Sequence, residues 1–183
     1  YAAIDGKVEY CNYDLRIVNV LDISGDVDLN IGNIDFNGDV NITGNVITGV
    51  TIRAMGSIYI GGYVEGAVIK SNKDIVLNKG VNANGIGQIE AKGNISARFF
   101  ENAIVYAEGD VNAGYILSSK IMALGKVIVQ GSRGTIHGGD VTGVMGIETS
   151  NAGNASYAPT NLRIGATKKL RMDYANIIVQ LKA

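Results

Sequence analysis

A short unit (glycine, a polar residue, then Val or Ile) returns at Gly25, Gly38, Gly56, Gly93, Gly109 and Gly125, and Lys73 holds the glycine slot in KDIVL. The intervals are 13, 18, 17, 20, 16 and 16 residues. Aligned on that slot, the chain falls into columns. Two residues on stand Val27, Val40, Ile58, Ile75, Ile95, Val111 and Val127, all β-branched. Four on stand Leu29, Ile42, Ile60, Leu77, Ala97, Ala113 and Val129. Ile52, Ile69, Ile89, Val105 and Ile121 lie four residues before the later slots, and Ala54, Ser71, Ala91, Ala107 and Ala123 lie two before them. A spacing of two is the strand period, with one side of each strand turned inward. Two short strands per repeat follow from this pattern. So small a unit cannot bury its own face and must stack on its neighbours.

The reading is an all-β fold: a single-stranded, right-handed parallel β-helix (β-solenoid) of about seven or eight short coils, with parallel rungs about 4.8 Å apart. The intervals argue against the left-handed hexapeptide helix, which requires a strict period of six. Glycine is expected to supply positive φ at the corners. The Asp or Asn beside it (Asp26, Asp39, Asp74, Asn94, Asp110) is expected to accept hydrogen bonds from nearby turn amides.

Domain organisation follows from where the repeat stops. Residues 1–24 read as an N-terminal β cap, with a hairpin about Asp5-Gly6. Residues 25–160 carry the solenoid, and Thr149–Thr160 reads as a loop by composition. In residues 161–183 the period changes: Leu170, Tyr174, Ile177 and Leu181 are spaced for one face of a helix. That helix either packs on the last coil or begins a coiled coil, through which copies of the chain would associate.

Composition removes several classes. Twenty-five glycines with one proline and no period of three exclude collagen. A hydrophobic fraction of 46% with net charge −1 excludes disorder and gives no bias towards nucleic acid or anionic membranes. No apolar run is long enough for membrane insertion. Cys11 is the single cysteine, which suits a reducing, cytoplasmic compartment.

The chemistry-bearing residues are few. His137, the single histidine, has no second catalytic group placed beside it and reads as a surface residue of a late coil. GGDVTG (Gly138–Gly143) is one copy of a motif that calcium-binding rolls need in succession. Asp26, Asp28, Asp35 and Asp39 fall at turn or outward positions and read as solvated acids. No catalytic residue, metal site or cofactor is expected. The one candidate is a pair: YVEGA and FFENA place Glu65 and Glu101 at one offset, 36 residues apart, with Asn84 or its neighbours between them. The pair is expected along one edge, either accepting backbone amides at a corner or offering an acidic strip to a protein partner.

The run from ISGDVDLNIGNIDFNGDVNITG through VEGA to FFENAIVYAEGDV, with AAIDGKV before it and Gly138-Gly139 after, resembles the β-solenoid domain of the flagellar assembly protein A family. The resemblance covers roughly residues 1–165. It implies a cytoplasmic bacterial protein without enzymatic activity, a scaffold or regulatory module in flagellar assembly that acts through protein partners. Two other classes are weighed beside it. A self-assembling, bactofilin-like structural protein would need uncapped ends. A carbohydrate-active β-helix enzyme would need aromatics lining a sugar cleft, against a chain with no Trp and 7% aromatics. Lys73 and His137 depart from the family's pattern.

Overall fold

The computed structural model describes residues 7–11, 14–132, 134–153, 155 and 158–165. Among these residues, period-two patterning stacks the chain into a parallel β-solenoid with eight rungs. Leu21, Val40, Ile58, Ile75, Ile95, Val111, Val127 and Ile147 are register partners in succession, separated by 19, 18, 17, 20, 16, 16 and 20 residues. These residues belong to strands such as Asp39–Ile42, Ile58–Ile60, Ile75–Leu77 and Lys126–Val129.

Each coil holds three strand columns, not two. The column before the slot is present: Ile34, Ile52, Ile69, Ile89, Val105, Ile121, Val141 and Leu162 stack in register. A third column runs Val27, Val46, Val64, Val81, Phe100, Ile116, Ile136 and Ala152. Several of its rungs are single bridges or pairs such as Val64–Glu65 and Val81–Asn82, too short to show an alternation in sequence. The two flanking columns merge with it where the chain turns without a break, as in Val111–Ala123, which contributes to all three. Inward side chains form one continuous core, with Phe100, Ile42, Ile58 and Ile95 among its fully buried members. Burying each such side chain is worth roughly 1.5–3 kcal/mol.

The third column also corrects the placement of Gly25. Val27 bridges Val46, and Leu21 occupies the place opposite Val40. Gly25 therefore belongs to a different corner from Gly38, although both are followed by Asp-Val. Leu29, assigned to the core by that alignment, is 72% exposed.

The glycines of the repeat are small for a reason other than positive φ, which Gly38, Gly56, Gly93, Gly109 and Gly125 do not adopt. The Asx residues act between coils. Asp39 Oδ1 accepts the amide of Ser57 at 2.7 Å, Asp74 that of Asn94 at 2.7 Å, Asn94 that of Asp110 at 2.8 Å, and Asp110 that of Lys126 at 2.7 Å. Each acceptor thus reaches one coil forward, past the glycine of that coil. A Cβ at Gly56, Gly93, Gly109 or Gly125 would collide with the oxygen making that bond.

This collision accounts for Lys73. The coil before it carries Ser57 in place of Asp or Asn, so no acceptor crosses the Lys73 slot, and Lys73 N donates instead to Ser71 Oγ at 2.9 Å. The slot after Lys126 is likewise free of the constraint and holds Met145, whose amide donates to Gly125 O. The corner at Gly25 follows the same rule. Asp26 and Asn45 accept the amides of Asn45 and Tyr63, and the slots they cross are Gly44 and Gly62.

At the N-terminal end, Lys7–Cys11 and Asp14–Val18 pair antiparallel as a separate two-stranded sheet. The turn expected at Asp5-Gly6 lies outside the described residues. At the other end, Thr160–Ile164 is a strand paired with Gly139–Gly143, so the segment from residue 161 does not open as a helix. Leu162 and Ile164, two residues apart, continue the columns of Val141 and Gly143. The stripe from Leu170 to Leu181 lies outside the described residues. Within the loop read at Thr149–Thr160, Asn151–Ala152 forms a short strand of the third column.

Candidate functional site

The third column positions the candidate residues. Val64, Val81, Phe100 and Ile116 point inward and are buried, so their strand neighbours on both sides point out. Asn82 is the register partner of both Glu65 and Glu101. The two glutamates therefore stand in one outward line, two rungs or about 9.6 Å apart. Asn84 is not the residue between them. It sits two positions further on, in the following corner, at φ 48°.

Glu65 is exposed, whereas Glu101 is half-buried and its Oε1 accepts a hydrogen bond from the Tyr115 hydroxyl at 2.8 Å. Leu117 and then His137 continue the same line. His137 is half-buried, and Gly138 and Gly139 follow it at φ 67° and 85°. Both lie in the region that favours glycine, and a Cβ on Gly139 would strike the Ser119 backbone.

The grouped aspartates have separate tasks. Asp26 and Asp39 serve the ladders. Asp28 accepts the amides of Ile31 and Asn30, and those bonds hold its carboxyl below the usual range. Among the described residues no group of three His, Cys, Asp or Glu is placed to hold a metal ion.

A second outward line, two residues earlier in each rung, escaped the sequence reading. It runs Tyr63, Gly80, Phe99, Tyr115. The Phe99 and Tyr115 rings stack, with centroids 5.1 Å apart and planes 11° apart. Tyr63 approaches Phe99 at 6.3 Å and 44°. Phe99 lies over Gly80, where a Cβ would meet its ring at 2.5 Å. Lys79 Nζ sits 4.8 Å from the Tyr63 ring centroid. The signal was present in YVEGA and FFENA, whose first residues share an offset as their glutamates do. Tyr115 gave none, because no glutamate marks its coil.

This ridge is one wall of an open groove of about 890 Å³. The opposite wall presents Val76, Ser96, Asn112 and Ile128, the outward residues of the first column. Among the described residues Arg98 is the one charged residue of the lining, and no carboxylate belongs to it. Side-chain amides of Asn78 and Gln130 mark its two ends. What the surface offers chemically is recognition, through aromatic edges, one guanidinium and several amides.

Stacked parallel rungs, laddered corners and outward side-chain lines at rung spacing define the class: this is a parallel β-solenoid. The model of the Flagellar Assembly Protein A (FapA) beta solenoid domain matches residues 19–183, and the chain belongs to that family. No curated protein and no solved structure matches it. Among the described residues no helix is long and apolar enough to cross a membrane.

Proposed function

We propose that the chain is a non-enzymatic scaffold or regulatory module of bacterial flagellar assembly, acting in the cytoplasm through protein partners and without a cofactor. Membership of the FapA family carries the reading. The outward lines support it, because they present side chains at a fixed pitch of about 4.8 Å to a partner laid along the solenoid. The Glu65–Asn82–Glu101 line is the partner-binding edge in this reading. To the same reading belong a right-handed coil, a β cap over the first rung, and a C-terminal helix carried by Leu170, Tyr174, Ile177 and Leu181 through which copies associate.

The test is capture from the lysate of a flagellated bacterium by the full chain, set against the double variant Glu65→Ala/Glu101→Ala. Retention of flagellar export or motor proteins by the full chain, lost in a double variant of unchanged melting temperature, supports it. A large fall in melting temperature would make the glutamates structural. Filaments of the purified chain in electron micrographs, with no protein captured, would replace the reading with self-assembly.

A further inference from the structure

The groove beside the aromatic ridge has a chemistry distinct from the glutamate line. We propose that it receives an extended, acidic segment of a partner protein. This inference rests on the reading of the chain as a protein-interaction module and adds the binding site and the partner's character.

Three observations carry it. The first is charge. Arg98 lies exposed in the lining, and among the described residues neither it nor Lys79 is paired with a carboxylate. Glu101 stands one outward position beyond Phe99, where the Tyr115 hydroxyl holds it. The second is the orientation of the rings. Phe99 and Tyr115 are stacked on each other and Phe99 lies over Gly80, so both faces of Phe99 and the facing side of Tyr115 are occupied, and the ridge offers the groove ring edges along the stack. Ring edges carry partial positive charge and favour anions, whereas a sugar needs a ring face to lie on. A guanidinium takes a carboxylate through two parallel bonds. The third is length. From Tyr63 through Gly80, Phe99 and Tyr115 to Gly131 is four rungs, about 19 Å, which an extended chain covers in about six residues. The amides of Asn78, Asn112 and Gln130 lie along that path for the segment's backbone.

The experiment is selection of immobilised random hexapeptides by the full chain, repeated with Arg98→Gln and with Lys92→Gln, which removes an exposed positive charge outside the groove. Peptides rich in Asp and Glu are expected, with affinity falling about tenfold in Arg98→Gln and unchanged in Lys92→Gln. Arg98 is exposed, so the melting temperature of Arg98→Gln should match the parent. Ser96→Tyr, which fills the groove without changing charge, should also abolish retention. Enrichment of basic or neutral peptides, indifference to Arg98→Gln, or no retention would overturn the proposal. Displacement of the acidic peptides by cellohexaose would reassign the groove to a glycan. If flagellar proteins are captured equally by Arg98→Gln, the groove inference fails and the module reading stands. If the parent chain captures none while acidic peptides still need Arg98, the module reading fails and the groove remains.

Discussion

Replacing Gly93 by alanine tests the account of the corner ladder. Gly93 takes no positive φ, so alanine there would by itself add about 0.4–1 kcal/mol of stability by restricting the unfolded chain. The ladder predicts the opposite sign. The new methyl would overlap Asp74 Oδ1, which is bonded to Asn94 N at 2.7 Å, and would approach the Lys73 carbonyl carbon and oxygen at 2.9 Å. The carboxylate must let go of the amide, a charge-assisted bond worth about 1.5–3 kcal/mol. A net destabilisation of about 2–3 kcal/mol is expected, or a fall in melting temperature of roughly 5–10 °C for a chain of this size. Asp74→Ser alone should cost about 1–2 kcal/mol. With the serine in place the overlap with Oδ1 is gone and only the close approach to the Lys73 carbonyl remains, so Gly93→Ala should then cost about 1 kcal/mol or less. Thermal and urea denaturation of the four proteins, followed by circular dichroism, gives the coupling, expected near 2 kcal/mol. If the two changes add to within about 0.5 kcal/mol, glycine at this slot has another cause and the reasoning is wrong.

The converse experiment installs the ladder where it is broken. Ser57→Asp should destabilise the chain while Lys73 stands over it, and Lys73→Gly in the same protein should restore or exceed the parent's melting temperature. Phe100→Ala removes the largest of the fully buried side chains and should cost about 3–5 kcal/mol by urea titration. At the last rungs, hydrogen bonds from Arg163 and Asn161 hold the Asp140 carboxyl below its ordinary 3.8. A depressed carboxyl stabilises the fold above the unfolded value and loses that contribution as the pH falls through its lowered one. Asp140→Asn should therefore lower the melting temperature slightly at neutral pH, and the difference from the parent should begin to shrink as the pH falls past about 3.8 and vanish only below the lowered value.

How much of this was legible follows the physics of each column. Val40, Ile58, Ile75 and their successors sit in strands long enough to alternate, so their period survives in sequence. Val27 and Val46 are single-residue bridges. A column built from them has no period of its own and emerges only when neighbouring coils are stacked. The misplacement of Gly25 has the same root: Asp-Val after glycine is one local pattern used at two corners, and only register separates them. Glu65 and Glu101 were found because their offset repeats, and the structure does bring them to one line. The groove was not found because its two walls, Asn112 and Tyr115 among them, come from different columns and meet only across a bend. Ser57 and Lys73 each looked like a lapse in the repeat, and become intelligible as neighbours on successive coils.

The ladder bonds all point the same way: each Asx side chain waits for the backbone of the coil that follows it, never of the one before. A coil that has just formed therefore displays an unfilled acceptor at its corner, and the next stretch of chain carries the matching amide. Synthesis delivers the coils in that order, N-terminus first. The Asx corner is a template read in the direction of translation, whereas the side chains that take an amide of the preceding coil are the hydroxyls of Thr43, Ser119 and Thr160.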